Sequence, residues 1–459
     1  MSNGRKHTSK RASMHASKPG AHSRRSFLQS AAAVGLSVCV PPWLAPSAAR
    51  AERYEGPFWL FVNAQGGWDP RFLYDPTLVP TQNRLYTEVK QVGAFSVAPI
   101  PVDLARVGLA VDQGLDAHLL SAEAFATAHG PKMLVLNGVD TATNNHDAGQ
   151  RAMGCGRLSE GYPALAGLIA AVKGPDRPIA FLSGGGYDAT NGHIPLSRVS
   201  GPDALARIAR PNDLNPTDPN TERYHSAATM NRISALMRDR GAVQRERQYL
   251  PPLQRSMDAL RASRETTAQL ADLVVADTLV DLPGGLDDLE RFERQVQLSY
   301  AAFAAGLSIC ASVTLGGFDT HGNHDRDQAR QLWKLLGGVD FALKHAADKG
   351  LGDKIYVIVT SDFGRGPDYN GSGDGSGKDH WSISSMLAFG PGIRGNRVVG
   401  ATDDEQRPRK LDPGSLALDD AGVALGPEEI HRGLRKLAGV ETTELAGSYP
   451  LLGEDLAIF

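Results

Sequence analysis

Short apolar runs, each closing on glycine or on a polar cluster, recur along this chain. Phe58-Trp59-Leu60-Phe61-Val62-Asn63 runs into Gly66-Gly67-Trp68-Asp69. Lys132 to Val139 runs into Asp140 and a Thr/Asn stretch, and Pro178 to Leu182 into Ser183-Gly184-Gly185-Gly186. Ser308 to Leu315 ends at Gly316-Gly317, Ile355 to Val359 ends at Ser361-Asp362, and Ser384 to Phe389 ends at Gly390. Such runs are too short for helices and predict buried strands. Helical periodicity predicts segments near Ala117 to Ala128, after His146, from Asp327 to Ala347 and from Glu428 to Leu437. Asp319 to Asp362 then forms one strand–helix–strand unit with an acid near each strand's carboxyl end. The expected fold is α/β, with a mostly parallel central sheet flanked by helices. Residues 75–130 read as mixed loops with some helix, a surface excursion. Residues about 200–295, rich in Arg, Glu, Gln and Ala, read as a helical insertion broken at Pro251-Pro252 and Pro283-Gly284-Gly285.

The first 51 residues change the charge picture. They hold eight Lys/Arg and no acid, and Ser23-Arg24-Arg25-Ser26-Phe27-Leu28 leads into a short apolar run from Ala31 to Val40. Ala49-Arg50-Ala51 follows with small residues in the cleavage positions. This is a twin-arginine export signal. The apolar run is well short of the ~18 residues that span a bilayer, so no stable span is expected in the mature chain. The expected partner during export is the twin-arginine translocase, and the expected location is periplasmic or secreted. With 48 basic and 51 acidic residues in all, residues 52–459 carry 48 − 8 = 40 basic groups and a net charge of 40 − 51 = −11. That balance argues against nucleic acid as a partner. Cys155 and Cys310 could pair or remain buried thiols.

Candidate chemistry sits where the runs end. Gly316-Gly317-Phe318-Asp319-Thr320-His321-Gly322-Asn323-His324 sets an acid and two imidazoles at close ligand spacing. Asp69 and Asp362 follow strand ends, and the loop Tyr369 to Gly377, read as a flexible lid or linker, delivers His380. Thr141, Thr143 and His146 precede a helix start, where backbone N–H groups suit a phosphate or sulfate. Imidazole and carboxylate together suit a divalent cation, zinc or manganese, as one or two ions. Arg365 could neutralise an anion through bidentate bonds.

The order of these motifs resembles the alkaline phosphatase superfamily. Within it, the chain looks like the exported family catalogued as domain of unknown function one-five-zero-one. The residues behind this are the twin-arginine signal, Gly66-Gly67-Trp68-Asp69, Gly316 to His321, Ser361 to Arg365, Asp379-His380-Trp381 and Gly395 to Asp403. The resemblance implies an alkaline-phosphatase-like domain over residues 52–459 and a metal-dependent hydrolase of small anionic phosphate or sulfate esters. It implies metal ligands at Asp69, Asp319, His321 or His324, Asp362 and His380. The nucleophile would be Thr141, Thr143 or a metal-bound hydroxide. Two departures stand out. Phe363 follows Asp362 where the superfamily's hydrolases have a metal-binding histidine, which His146 or His321 would have to replace, and no serine occupies the nucleophile region. Cys155-Gly156-Arg157-Leu158-Ser159 lacks the positions used to make formylglycine. A catalytically inactive binding or assembly protein of the cell envelope is the alternative.

Overall fold

A computed structural model describes residues 54–109, 115–175, 177, 179–198, 206–207, 210–216, 218, 220–266 and 286–459. The expected export signal of residues 1–51, Pro178 and the expected Pro283-Gly284-Gly285 break lie outside them. Among the described residues twelve strands follow in chain order: β1 Phe58–Ala64, β2 Lys90–Val92, β3 Phe95–Val97, β4 Leu134–Asp140, β5 Phe181–Ser183, β6 Leu196–Arg198, β7 Cys310–Leu315, β8 Ile355–Ser361, β9 Gly364–Arg365, β10 His380–Trp381, β11 Ile383–Phe389 and β12 Arg397–Val399. Eight of them make one sheet in the order β12-β4-β11-β8-β1-β7-β5-β6. Within this sheet β11 runs antiparallel to β4 and β8, and every other neighbouring pair is parallel. This is the mostly parallel sheet expected from the apolar runs.

Register fixes where the chemistry falls. Ala64 lies opposite both Leu315 and Ser361, so β1, β7 and β8 end level at one edge of the sheet. The loops to Asp69, Asp319 and Asp362 leave from that edge. Because β11 runs the other way, its beginning lies at the same edge, with Ile383 opposite Asp140 at the end of β4. The reversed strand therefore brings His380, three residues ahead of it, to the edge where the acids emerge.

Among the described residues the longer helices are α1 Ala122–His129, α2 His146–Cys155, α3 Leu165–Lys173, α4 Ala227–Glu246, α5 Pro251–Thr266, α6 Asp287–Ala304, α7 His324–Asp348 and α8 Pro427–Leu437. Alternation along β1 sends Leu60 and Val62 into one apolar core and Trp59 into another. The first core takes in α6 and α7 through Leu289, Phe292, Val296, Leu332 and Leu336, the second α2, α3 and α8 through Met153, Leu165, Ile169, Ile430 and Leu434.

Two expectations need amending. Residues 75–130 are no surface excursion: Tyr86, Phe95, Val97, Ile100 and Leu104 are buried in the first core. Side-chain bonds, such as Tyr86 O–H to Arg71 O at 2.6 Å and Asn83 Nδ2 to Tyr86 O at 2.6 Å, hold the irregular backbone ahead of β2, and the helix expected near Ala117 to Ala128 is α1. Within the insertion, α4 buries no residue, whereas α6 presents Leu289, Phe292, Val296 and Tyr300 as one stripe and packs into the body. No helix among the described residues is long and apolar enough to cross a membrane.

Candidate metal centre

Asp319 leaves β7 through Gly316-Gly317 and turns where Gly66 (φ +123°) crosses it. A Cβ on Gly66 would stand 2.5 Å from the Asp319 nitrogen, so only glycine allows these two loops to touch. Asp319 Oδ1 accepts from Arg365 Nη2 at 2.7 Å and lies 3.0 Å from His380 Nε2 and 3.1 Å from His321 Nε2. His146 Nε2 is 3.6 Å from Asp319 Oδ2. One ligand atom from each of His146, Asp319 and His380 falls within 4.8 Å of the others.

Each of these histidines is anchored from behind. His146 opens α2, where the Asn145 side chain caps the helix by accepting from Ala148 N at 3.1 Å. Its Nδ1 lies 2.8 Å from Asp362 Oδ2, which also accepts from Gly66 N at 3.0 Å. His380 Nδ1 lies 2.8 Å from the carbonyl oxygen of Asn144, and His321 Nδ1 lies 3.2 Å from Asp379 Oδ1. A carbonyl only accepts, so His380 carries its proton on Nδ1 and turns the Nε2 lone pair toward Asp319. His321 Nε2 faces the same point, 2.9 Å from His380 Nε2. Two imidazole nitrogens and a carboxylate oxygen at such separations repel unless a proton or a cation lies between them. Donor atoms held out by second hydrogen bonds are how metal-binding histidines are presented, and N and O donors suit zinc or manganese. The residues fit a divalent cation.

Phe363 forms the floor, its ring centroid 4.5 Å from that of His380 and 4.8 Å from that of His146. The approach of α2 to this floor depends on Gly149, where a Cβ would lie 2.4 Å from the Asp362 carbonyl oxygen. Burial tends to raise the Asp319 pKa, but the hydrogen bond and positive charge of Arg365 outweigh it and hold the group at about 2. Asp362 moves the other way: burial raises it more than the His146 contact and the Gly66 N–H lower it.

Of the remaining expected site residues, Arg365 touches this cluster and the others are bonded elsewhere. Asp69 and His324 form a fully buried pair of their own, with Asp69 Oδ2 3.0 Å from His324 Nε2 and 2.8 Å from Lys378 Nζ. Burial pushes the Asp69 carboxyl up, yet Lys378 and His324 hold it well below the usual range. His324 Nδ1 meets Thr320 Oγ1 at 2.7 Å, so both ring nitrogens are engaged. Thr141 is buried and donates to the carbonyls of Thr143 and Ser382, and Thr143 Oγ1 accepts from Asn145 N at 3.2 Å. Arg365 was expected to face an anion. Its buried guanidinium instead donates to Gly66 O, to Gly67 O at 2.9 Å, to Lys378 O at 3.1 Å and to Asp319. It is a positioning residue.

The glycine loop is pinned, not free. Arg84 Nη2 donates to Gly371 O at 2.6 Å, Asn323 N to Gly375 O at 2.9 Å and His324 N to Ser376 O at 2.9 Å. Antiparallel β9 and β10 then set His380 opposite Arg365. Sequence reasoning assigned no role to Lys378, Asp379 or Asn144. For the first two the adjacent Lys-Asp-His triplet was a signal; for a backbone carbonyl there is none. Cys155 and Cys310 are both buried, unpaired thiols, and burial pushes each pKa up, Cys155 to about 11.

Among curated proteins, nothing matches the chain. Solved structures with some likeness include a 2-O GAG sulfatase (11% identity, 85% of this chain and 72% of that one, TM-score 0.32). Others are the alkaline phosphatase of the Antarctic bacterium TAB5 (10%, 75% and 94%, 0.29) and the lipoteichoic acid synthase LtaP of Listeria monocytogenes (8%, 84% and 73%, 0.29). Likeness at this level says nothing of activity. A family model, by contrast, matches residues 118–422, a stretch that holds His146, Asp319, His321, Asp362 and His380 and leaves out Asp69. By that match the chain belongs to the family described as "Protein of unknown function (DUF1501)".

Proposed function

We propose that this chain is an exported, metal-dependent hydrolase of small anionic esters, phosphate or sulfate. The observation that carries the reading is the orientation of three imidazoles: each Nδ1 rests on a carbonyl or carboxylate oxygen, and the Nε2 atoms turn toward Asp319. Asp319, His146 and His380 would hold a zinc or manganese ion, with His321 beside them. When bound, such an ion polarises an ester oxygen and makes a neighbouring water more acidic. Asp362, the Asn144 carbonyl and Asp379 fix which ring nitrogen of each histidine carries a proton. Arg365 holds Asp319 in place from the buried side. The Thr141 hydroxyl is spent on two carbonyls, so water is the attacking group in this reading. Residues 1–51 would send the folded protein through the twin-arginine translocase to the periplasm or the exterior.

Phe363 favours a second reading. An apolar ring occupies the place beside Asp362 where the superfamily's hydrolases carry a ligand, which suits a cell-envelope binding protein that has lost the chemistry.

One experiment separates them. Purified protein is assayed for metal content and for hydrolysis of p-nitrophenyl phosphate and p-nitrophenyl sulfate. Bound zinc or manganese, with turnover that disappears in Asp319→Ala and His380→Ala, supports the hydrolase. Bound metal without turnover of any ester supports the binding protein. Metal-free protein overturns the metal-centre reading.

A further inference from the structure

Building on that metal centre, we propose that it holds one ion and not two, because Lys378 supplies the positive charge that a second ion would bring. Asp69 and His324 are the residues that would complete a second ligand set, and the Lys378 ammonium already stands on the carboxylate oxygen that faces the imidazole. Asp69 Oδ1 accepts from Arg71 N at 2.9 Å, and Oδ2 meets both Lys378 Nζ and His324 Nε2. His324 spends its other nitrogen on Thr320.

The ammonium is built in. Lys378 is fully buried, and Nζ donates to Gln82 O at 2.8 Å as well as to Asp69. It lies 5.5 Å from the Phe72 ring centroid and 5.0 Å from that of Tyr369, so aromatic faces complete its cage. Its backbone is held too: Lys378 N donates to Thr320 O at 3.2 Å, and Lys378 O accepts from Arg365 Nη1. Arg365 adds a second buried cation against Asp319. A divalent ion at Asp69 would have to displace an ammonium that already satisfies the carboxylate and stand close to a guanidinium that cannot move away. Lys378 and His380 ride on one short segment, so the fixed charge and a metal-facing imidazole are delivered together. Lys378 is thus a positioning residue that neutralises Asp69 permanently, where an exchangeable ion would do so reversibly.

The test is metal stoichiometry. The purified full chain is loaded with excess zinc chloride or manganese chloride, desalted, and measured by mass spectrometry of the elements. About one equivalent per chain is expected. Two equivalents would overturn this proposal and leave the metal centre standing. No bound ion would overturn both, so the two failures are distinguishable. Asp69→Asn and His324→Gln are expected to retain about one equivalent, and loss of the ion in either, with the fold intact by circular dichroism, would also overturn it. If those variants fail to fold, the wild-type count still decides.

Discussion

His146 Nδ1 lies 2.8 Å from Asp362 Oδ2, joining the first residue of α2 to the acid that follows β8. In the linear chain these positions stand 216 residues apart. The contact makes Asp362 a carboxylate that acts through a histidine. Asp362→Asn is therefore expected to keep the fold while weakening divalent-ion affinity by about 10–100-fold. Titration with zinc against a competing chelator checks this; unchanged affinity would show that the pair does not serve an ion.

Arg365→Met should act on stability first. The substitution strips hydrogen bonds from three carbonyls and leaves Asp319 without its buried partner. Asp319 is half exposed, so the lost bonds to buried carbonyls dominate, and a loss of about 1–3 kcal/mol is expected in denaturant unfolding. A loss confined to activity, with stability unchanged, would place the guanidinium on a substrate after all.

Thr141→Val tests the nucleophile. If the hydroxyl only holds Thr143 O and Ser382 O, ester turnover should stay within about twofold while stability falls by about 1–2 kcal/mol. Abolished turnover in a protein that still folds and binds metal would restore Thr141 as the attacking group.

Glu293 is buried on α6, and burial, with Glu290 nearby, raises its pKa to about 7. The folded chain then binds a proton more tightly than the unfolded chain. Its neutral form is compatible with folding at low pH, and stability falls as pH rises from the unfolded pKa of 4.5 through about 7. Glu293→Gln should raise stability by about 1–2 kcal/mol above that window and change little below it. Melting curves on either side of neutrality give the sign.

Much of this architecture was legible from the apolar runs because buried parallel strands are near-continuous in Val, Ile and Leu, and each run ends in glycine or a polar cluster. The acids at strand ends, Asp319 and Asp362, followed from that pattern. The direction of β11 did not, since Ile383–Phe389 is buried on both faces whichever way it runs. The division of the acids into two groups was equally hidden. Asp69, Asp319 and Asp362 look alike in sequence, and only Lys378, brought beside Asp69 from 309 positions away, sets one of them apart. The buried positions just ahead of β2 show the remaining limit, because they sit on irregular backbone with no period to detect.

Where β4 pairs with β11, Gly138 of β4 is the extra residue: Ser384 lies opposite Val139 and Ser385 opposite Asn137. Side chains alternate along a strand, so this bulge sets which face Val139 and Asp140 turn to as β4 ends. Deleting Gly138 would let the ladder run straight and would turn both residues over. The segment that leads from Asp140 to His146 would then set out from the opposite face of the sheet.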